Sequence, residues 1–151
     1  MNETPYFMGI DPGATGAAAI VSAHAALTFP FKGESIARVI ALADSHWEGK
    51  AWCVLEKVNA FPGQGVASSF AFGRAYGAAL GALELLAIPH ILITPAKWTK
   101  EFTPQSGKRT KAEKKRSLQD AARRLWPDLT ITADTADALL LAEYARRYFS
   151  S

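Results

Sequence analysis

Apolar residues fill Tyr6–Ile10 without a polar break, and Asp11-Pro12-Gly13 stops the run. A short apolar run that ends in strong turn chemistry reads as a buried strand entering a tight turn. Gly16–Val21 and Ala25–Phe31 repeat the pattern, and their turn-length links predict an antiparallel meander. Glu34–Ser45 changes period, with apolar residues at 36, 39, 40 and 43 in helical spacing. Ala51–Leu55 is again a compact apolar strand, with Glu56 at its end and the loop Asn59–Gly65 beyond. Ser68–Ala87 is rich in Ala, Leu and small residues, which predicts a long helix buried on more than one side. Gly73, Gly77 and Gly81 recur along it every four residues, a smooth stripe for close packing within the subunit or across a dimer interface; packing within the subunit is the expectation. Pro89–Ile93 is a fifth strand, Ala96–Glu101 a short helix, Thr103–Thr110 a basic loop and Lys111–Leu125 an amphipathic helix ended by Pro127. Three antiparallel strands followed by strand–helix alternation predict an α/β fold: a five-stranded mixed sheet, its later strands parallel, flanked by helices.

The closing segment, Asp134-Thr-Ala-Asp-Ala-Leu-Leu-Leu-Ala-Glu-Tyr-Ala145, reads as a core helix that begins with two acids. At about 100° per residue, Asp134 and Asp137 share an arc with Leu141, Tyr144, Ala145 and Tyr148. Glu143, Arg146 and Arg147 fall on the opposite arc, the expected solvated face. The plain reading is a helix start, with Asp134 as N-cap and Asp137 at the third helical position.

A chain of 151 residues, 49% hydrophobic and 21% charged, is expected to form one domain with a sizeable core. Its one cysteine, Cys53, excludes an internal disulfide framework and any multi-cysteine zinc site, as expected of a reducing cytoplasm. The segment Met1–Pro5 has no basic region of a secretory leader. No apolar run approaches the ~20 residues that cross a bilayer; the longest, near Ala78–Ile88, contains Glu84. A soluble cytoplasmic protein that does not enter membranes is expected, bacterial or encoded by a phage.

Charge changes that picture more than composition does. The net charge is only +3, yet Lys97, Lys100, Lys108, Arg109, Lys111, Lys114, Lys115 and Arg116 face just two acids, Glu101 and Glu113, within one window. That window carries +6 and leaves −3 for the rest of the chain. Beside Trp98, Phe102, Pro104 and Gly107, such a strip points to a polyanionic partner rather than to a solvated helix face alone.

Four carboxylates stand at unusual places: Asp11 and Glu56 at strand ends, Asp134 and Asp137 on the last helix. Each has a structural excuse singly, a turn or an ion pair at a strand end. Together they converge if strands one and four are neighbours and the last helix packs across them. Two unit charges ~4 Å apart repel by about 4 kcal/mol at an effective dielectric near 20, so a counter-ion is expected. Oxygen-only ligands favour Mg²⁺ or Mn²⁺ over zinc. Two such ions about 3.5–4 Å apart form the clamp used for in-line phosphoryl displacement, and the basic strip beside it would hold a phosphodiester backbone.

Ile10-Asp-Pro-Gly-Ala-Thr-Gly16, Leu55-Glu56, Gly73-Arg-Ala-Tyr-Gly77, Thr94-Pro-Ala-Lys97 and Asp134-Thr-Ala-Asp-Ala-Leu139 occur in the order seen in RuvC-type Holliday junction resolvases, which the chain resembles over roughly residues 6–146. The resemblance implies an RNase H-like fold, a homodimer with twofold symmetry, and Mg²⁺-dependent nicking of two opposed strands in four-way junction DNA. It implies 5′-phosphate and 3′-hydroxyl products and a catalytic, metal-binding tetrad of Asp11, Glu56, Asp134 and Asp137, with two ions per site. Relatives often carry a catalytic lysine after the basic loop, matched here by Lys114 or Lys115. Lys97, Lys100, Lys108, Arg109, Lys111, Arg116, Arg74 and Phe61 are the expected DNA contacts. The chain departs from the family at position 59, where an aromatic is often found and Asn stands; Phe61 or Phe70 would then enter the junction.

Other readings are weaker. Asp-Pro-Gly-Ala-Thr-Gly also resembles the first phosphate loop of the sugar kinase–actin superfamily, but those proteins need two such lobes. A binder without catalysis would have lost an acid. A nuclease for forks, flaps or RNA–DNA hybrids keeps the chemistry and changes the substrate. His24, His46 and His90 lack ligand-like spacing, no paired nucleophile and base supports a Ser or Cys hydrolase, and Trp98 is either core or a stacking platform.

Overall fold

Five apolar segments pair into one sheet in the computed structural model, which describes residues 4–103 and 107–151. The strands are β1 (Tyr6–Asp11), β2 (Ala17–Val21), β3 (Ala26–Pro30), β4 (Ala51–Glu56) and β5 (His90–Ile93), in the order β3-β2-β1-β4-β5. β1–β2 and β2–β3 are antiparallel, whereas β1–β4 and β4–β5 are parallel, as the sequence predicts. Residues 1–3, and 104–106 in the expected basic loop, lie outside the described residues.

Register decides which residues meet. Tyr6 pairs with Ala51 and Ile10 with Leu55, so Asp11 and Glu56 end adjacent strands side by side. Side chains alternate across a strand. Phe7 and Val54 belong to the core on one sheet face, while Tyr6, Met8, Ile10, Cys53 and Leu55 belong to the core on the other. Two residues on from Gly9 and Val54, Asp11 and Glu56 therefore share the first face.

That face is covered by α5 (Ala133–Phe149) and, outside it, α4 (Lys111–Leu125). The other is covered by α1 (Ile36–Ser45) and α2 (Val66–Leu85); the short α3 (Pro95–Thr99) follows β5. The crossing of α5 over β1 depends on Gly9. A Cβ there would lie 2.2 Å from both the Ala138 carbonyl oxygen and the Ala142 amide nitrogen, so only glycine lets helix and strand backbones approach so closely.

Three expectations fail here. α2 is not buried on more than one side: its buried residues are Ala75, Ala79, Ala82 and Leu83, while Val66 (88%), Phe70 (73%) and Leu85 (86%) stand in solvent. Gly73, Gly77 and Gly81 do not pack within the subunit either, since a Cβ on any of them would meet nothing within 4 Å. The cause is that α2 packs along one side only, against α1 and the core beneath. In α5, Glu143 is not on a solvated face. It is 4% exposed and accepts from Arg146 Nε and Nη2 and from Arg147 Nε at 2.8–2.9 Å, because α5 lies between the sheet and α4 and is covered on both sides.

Candidate active site

Asp11 closes β1 and opens the turn to β2. The Gly13 N–H donates to Asp11 Oδ1 at 3.4 Å, and the Gly16 N–H donates to the Gly13 carbonyl at 2.9 Å. Gly16 is required by the tightness of this turn, since a Cβ there would lie 2.1 Å from the Asp11 carbonyl oxygen. The turn thus fixes the Asp11 backbone and leaves its carboxylate half-buried at the sheet end.

Glu56 stands beside it at the end of β4. Its Oε2 accepts a 2.7 Å hydrogen bond from Trp98 Nε1, and Trp98 is 1% exposed. Trp98 is therefore core, not a stacking platform. The bond links positions 42 residues apart and nothing in the spacing of the chain announces it.

Asp134 is not the N-cap of α5. Thr132 holds that position, its N–H donating to Thr135 Oγ1 at 3.0 Å and the two hydroxyls lying 3.2 Å apart. With the capping done by threonines, Asp134 and Asp137 remain as half-buried carboxylates within the first two turns of α5. Asp137 directly precedes Ala138, at the crossing with Gly9, so both acids lie toward the Asp11 end of β1.

The electrostatics register this proximity. Burial first, then the charges of Asp11 and Asp137, together push the Glu56 carboxyl up to about 7 against the lowering effect of the Trp98 hydrogen bond. Burial likewise pushes Asp137 up to about 6, with Asp11 adding to the rise and Lys115 opposing it. Asp11 is raised chiefly by burial; the Gly13 N–H and Lys115 lower it, and Asp134 raises it. Of the two candidate lysines, Lys115 is the one whose charge acts on the acids. Lys114 lines a groove of about 320 Å³ with Lys100, Arg109, Thr99 and Thr103.

The donor set suits a hard divalent cation: carboxylate oxygens only, partly buried, mutually repelling and opposed by one lysine. Among the described residues no group of three or more His, Cys, Asp or Glu side chains is gathered to hold an ion as it stands. The histidines belong elsewhere, with His46 Nδ1 on the Leu42 carbonyl and His90 Nδ1 on that of Ile88.

A pH prediction follows from the raised acids. A carboxyl whose pKa is higher folded than unfolded contributes stability that is complete below its unfolded value, near 4, and is lost as pH rises through its folded value. For Glu56 and Asp137 that loss spans roughly pH 4 to 8. In EDTA, Glu56→Gln, which keeps an acceptor for Trp98, is expected to stabilise the protein at pH 8 by about 2 kcal/mol, or ~4–8 °C in Tm, and hardly at all at pH 4. Thermal unfolding across this pH range checks it; an equal gain at both ends would contradict it.

The other expected DNA contacts are spread more widely. Lys97, Lys100, Lys108, Lys111 and Arg116 are exposed, and Arg109 is tied to Ser117 Oγ by a 3.1 Å bond from its guanidinium. Arg74 is exposed on α2, away from this strip in the sequence. Phe61 is 67% exposed in the loop after Glu56, on a turn closed by Gln64, whose N–H donates to the Phe61 carbonyl and whose side chain accepts from the Phe61 N–H.

Two solved structures resemble the chain along nearly its whole length. T. thermophilus RuvC in complex with a Holliday junction substrate matches with a TM-score of 0.67 and 19% identity over 96% of this chain and 94% of that one. Thermus thermophilus RuvC alone matches with a TM-score of 0.61 and 18% identity, over 95% and 94%. No protein-family model and no curated protein matches the sequence. The likeness is one of architecture, and in architecture the chain has the RuvC-type, RNase H-like fold.

Proposed function

We propose that the chain is a single-domain, divalent-metal-dependent endonuclease that resolves four-way DNA junctions by paired symmetric nicks, acting as a homodimer. The observation that supports this reading is that Asp11 and Glu56 end adjacent strands of a RuvC-type fold, within electrostatic reach of Asp137, while Asp134 and Lys115 act on Asp11. The similar RuvC structure holds a Holliday junction substrate, which favours the same substrate class here.

Asp11, Glu56, Asp134 and Asp137 would hold the metal, two Mg²⁺ with Mn²⁺ able to substitute. When bound, such ions activate water as nucleophile and steady the departing 3′ oxygen. The chain's own groups do the rest. The Asp11 turn and the packing of α5 on Gly9 fix the backbones from which these carboxylates would reach the ions. Lys115 places a positive charge beside the scissile phosphate. Products carry 5′-phosphate and 3′-hydroxyl ends. Phe61, projecting from its closed turn, enters the junction centre in place of an aromatic at position 59; Phe70, on the exposed side of α2, is the other residue available for this.

The groove lined by Lys100, Arg109 and Lys114, with Lys97, Lys108, Lys111 and Arg116 around it, holds the phosphate backbone. Replacing Lys108, Arg109 and Lys111 together by Ala is expected to weaken junction binding and to lower the slope of log K against log salt by up to ~3. Binding titrations at several salt concentrations read this; an unchanged slope would remove the strip from the interface.

The uncovered side of α2 forms the dimer contact, where Gly73, Gly77 and Gly81 leave room for a second backbone and Val66 and Leu85 supply apolar area. Gly77→Arg is expected to give a folded monomer, because its side chain meets nothing within the subunit. Light scattering distinguishes this from a variant that stays dimeric, which would move the interface elsewhere. No helix among the described residues is long and apolar enough to cross a membrane.

A panel of labelled four-way junction, flap and RNA–DNA hybrid, each with Mg²⁺ and then EDTA, tests the substrate. Paired nicks at symmetric positions in the junction alone are expected. Equal cutting of flap or hybrid would leave the chemistry in place and replace the substrate.

A further inference from the structure

Trp98 donates its indole N–H to a carboxylate of the proposed active site, and the contact is built by the fold rather than by chance side-chain reach. β4 and β5 are parallel neighbours with Glu56 opposite Ile93, and the Lys57 N–H donates to the Ile93 carbonyl at 2.8 Å. α3 begins two residues after Ile93, with Thr94 as its N-cap and Pro95 in its first turn. The segment that carries Trp98 is therefore hydrogen-bonded at its root to the residue that follows Glu56. The indole itself is fully buried, beside Phe102 at 6.4 Å between ring centroids. A buried indole N–H needs an acceptor, and here it has Glu56 Oε2.

The hydrogen bond divides the two oxygens of Glu56. Oε2 is held by Trp98, while no hydrogen bond among the described residues reaches Oε1. Among the described residues, no such side-chain donor reaches Asp11, Asp134 or Asp137; Asp11 has the longer bond from the Gly13 amide. Glu56 also has the longest of the four side chains and so the most rotamers to lose on being fixed. Of the four carboxylates, it is the one whose orientation most needs a partner, and it has the strongest one.

We propose that Trp98 is the positioning residue of Glu56: its indole N–H pins Oε2 so that Oε1 alone is presented to a divalent cation shared with the three aspartates. The proposal rests on the reading of the acids as a metal site and names the group outside the ligand set that sets the geometry of one ligand. Outer partners of ligating carboxylates typically contribute 10–100-fold to metal affinity.

The test uses the whole protein without DNA. The Mn²⁺ and Mg²⁺ concentrations that half-saturate the rise in Tm, and the corresponding calorimetric titrations, are measured for the wild type, Trp98→Phe, Glu56→Gln and the double variant. Trp98→Phe keeps an aromatic ring and loses the donor. Its cation midpoint is expected to rise by about 10-fold or more. In the Glu56→Gln background, the same change is expected to leave the midpoint where that variant alone puts it. A Trp98→Phe midpoint equal to or lower than the wild type's would overturn the proposal, even if the cation-free protein were less stable, because packing alone would then explain the indole. If Glu56→Gln also leaves the midpoint unchanged, the metal-site reading falls; if Glu56→Gln moves it and Trp98→Phe does not, only the role of Trp98 falls.

Should Trp98→Phe fail to fold, the wild type still answers. Trp98 is the one fully buried tryptophan of the four, so its indole N–H is the slowest to exchange among the ¹⁵N-labelled tryptophan signals. That signal is expected to keep its exchange protection and to shift as Mg²⁺ is added. Loss of its protection at saturating Mg²⁺, or no shift at all, would show that the bond to Glu56 plays no part in the loaded site.

Discussion

Asp11→Asn is expected to reduce junction cleavage by at least ~10³-fold while leaving junction binding close to that of the wild type. The size follows from what is removed: a metal ligand that contributes several kcal/mol to the stabilisation of transition-state charge, at about 1.4 kcal/mol per decade of rate. Binding survives because the basic groove that holds the backbone is a separate set of residues, on α3, on α4 and in the segment between them. Asn is close to Asp in shape and keeps an acceptor for the Gly13 N–H, so the turn is preserved. The variant also removes one of the charges that raise Glu56 and Asp137, so its cation-free form gains stability near neutral pH. Gel-shift titration beside a cleavage time course checks both halves. Wild-type cleavage by Asp11→Asn would remove Asp11 from the chemistry, and loss of binding would mean that the acid shapes the DNA surface.

Gly9→Ala is expected to be among the most damaging single methyl additions available in this chain. The added Cβ would have to sit 2.2 Å from backbone atoms of Ala138 and Ala142, and neither can swing aside as a side-chain tip can. Overpacking of a core costs roughly 1–3 kcal/mol when side chains can yield; between two backbones the upper end, about 3 kcal/mol, is expected. The only relief is a lift of α5 from β1, which carries Asp134 and Asp137 away from Asp11 and Glu56. Stability and cation binding should therefore fall together. By contrast Gly73→Ala, Gly77→Ala and Gly81→Ala meet open space on α2 and should leave the monomer as stable or slightly more so. Chemical denaturation of all four variants separates the cases. A Gly9→Ala protein as stable as the wild type would mean that α5 does not sit on β1 as described.

Much of this arrangement was legible in the chain before any coordinates. Unbroken apolar runs placed Asp11 and Glu56 at strand ends, and the change to helical spacing gave the order of elements. What the chain could not show were facts of packing between distant segments. The wheel of α5 suggested a solvated arc through Glu143, but a wheel assumes one covered side, and α4 covers the second. Asp134 looked like an N-cap by residue type, but Thr132, paired with Thr135 one turn on, starts the helix instead. Lys114 and Lys115 could not be separated, since both lie one turn before the buried Leu118; only the seating of α4 turns Lys115 toward the acids. The apolar character of α2 suggested burial, although the same composition suits a surface awaiting a second subunit. The Trp98–Glu56 bond depended on β5 lying beside β4, a pairing no local pattern specifies.

Anomalous diffraction from crystals grown with Mn²⁺, in place of Mg²⁺, is the most direct measurement of whether separate acids become one metal centre. Density bracketed by the carboxylates of Asp11, Glu56, Asp134 and Asp137 is the expected result. Manganese sited elsewhere, or a saturating concentration that leaves these four side chains without an ion, would contradict it.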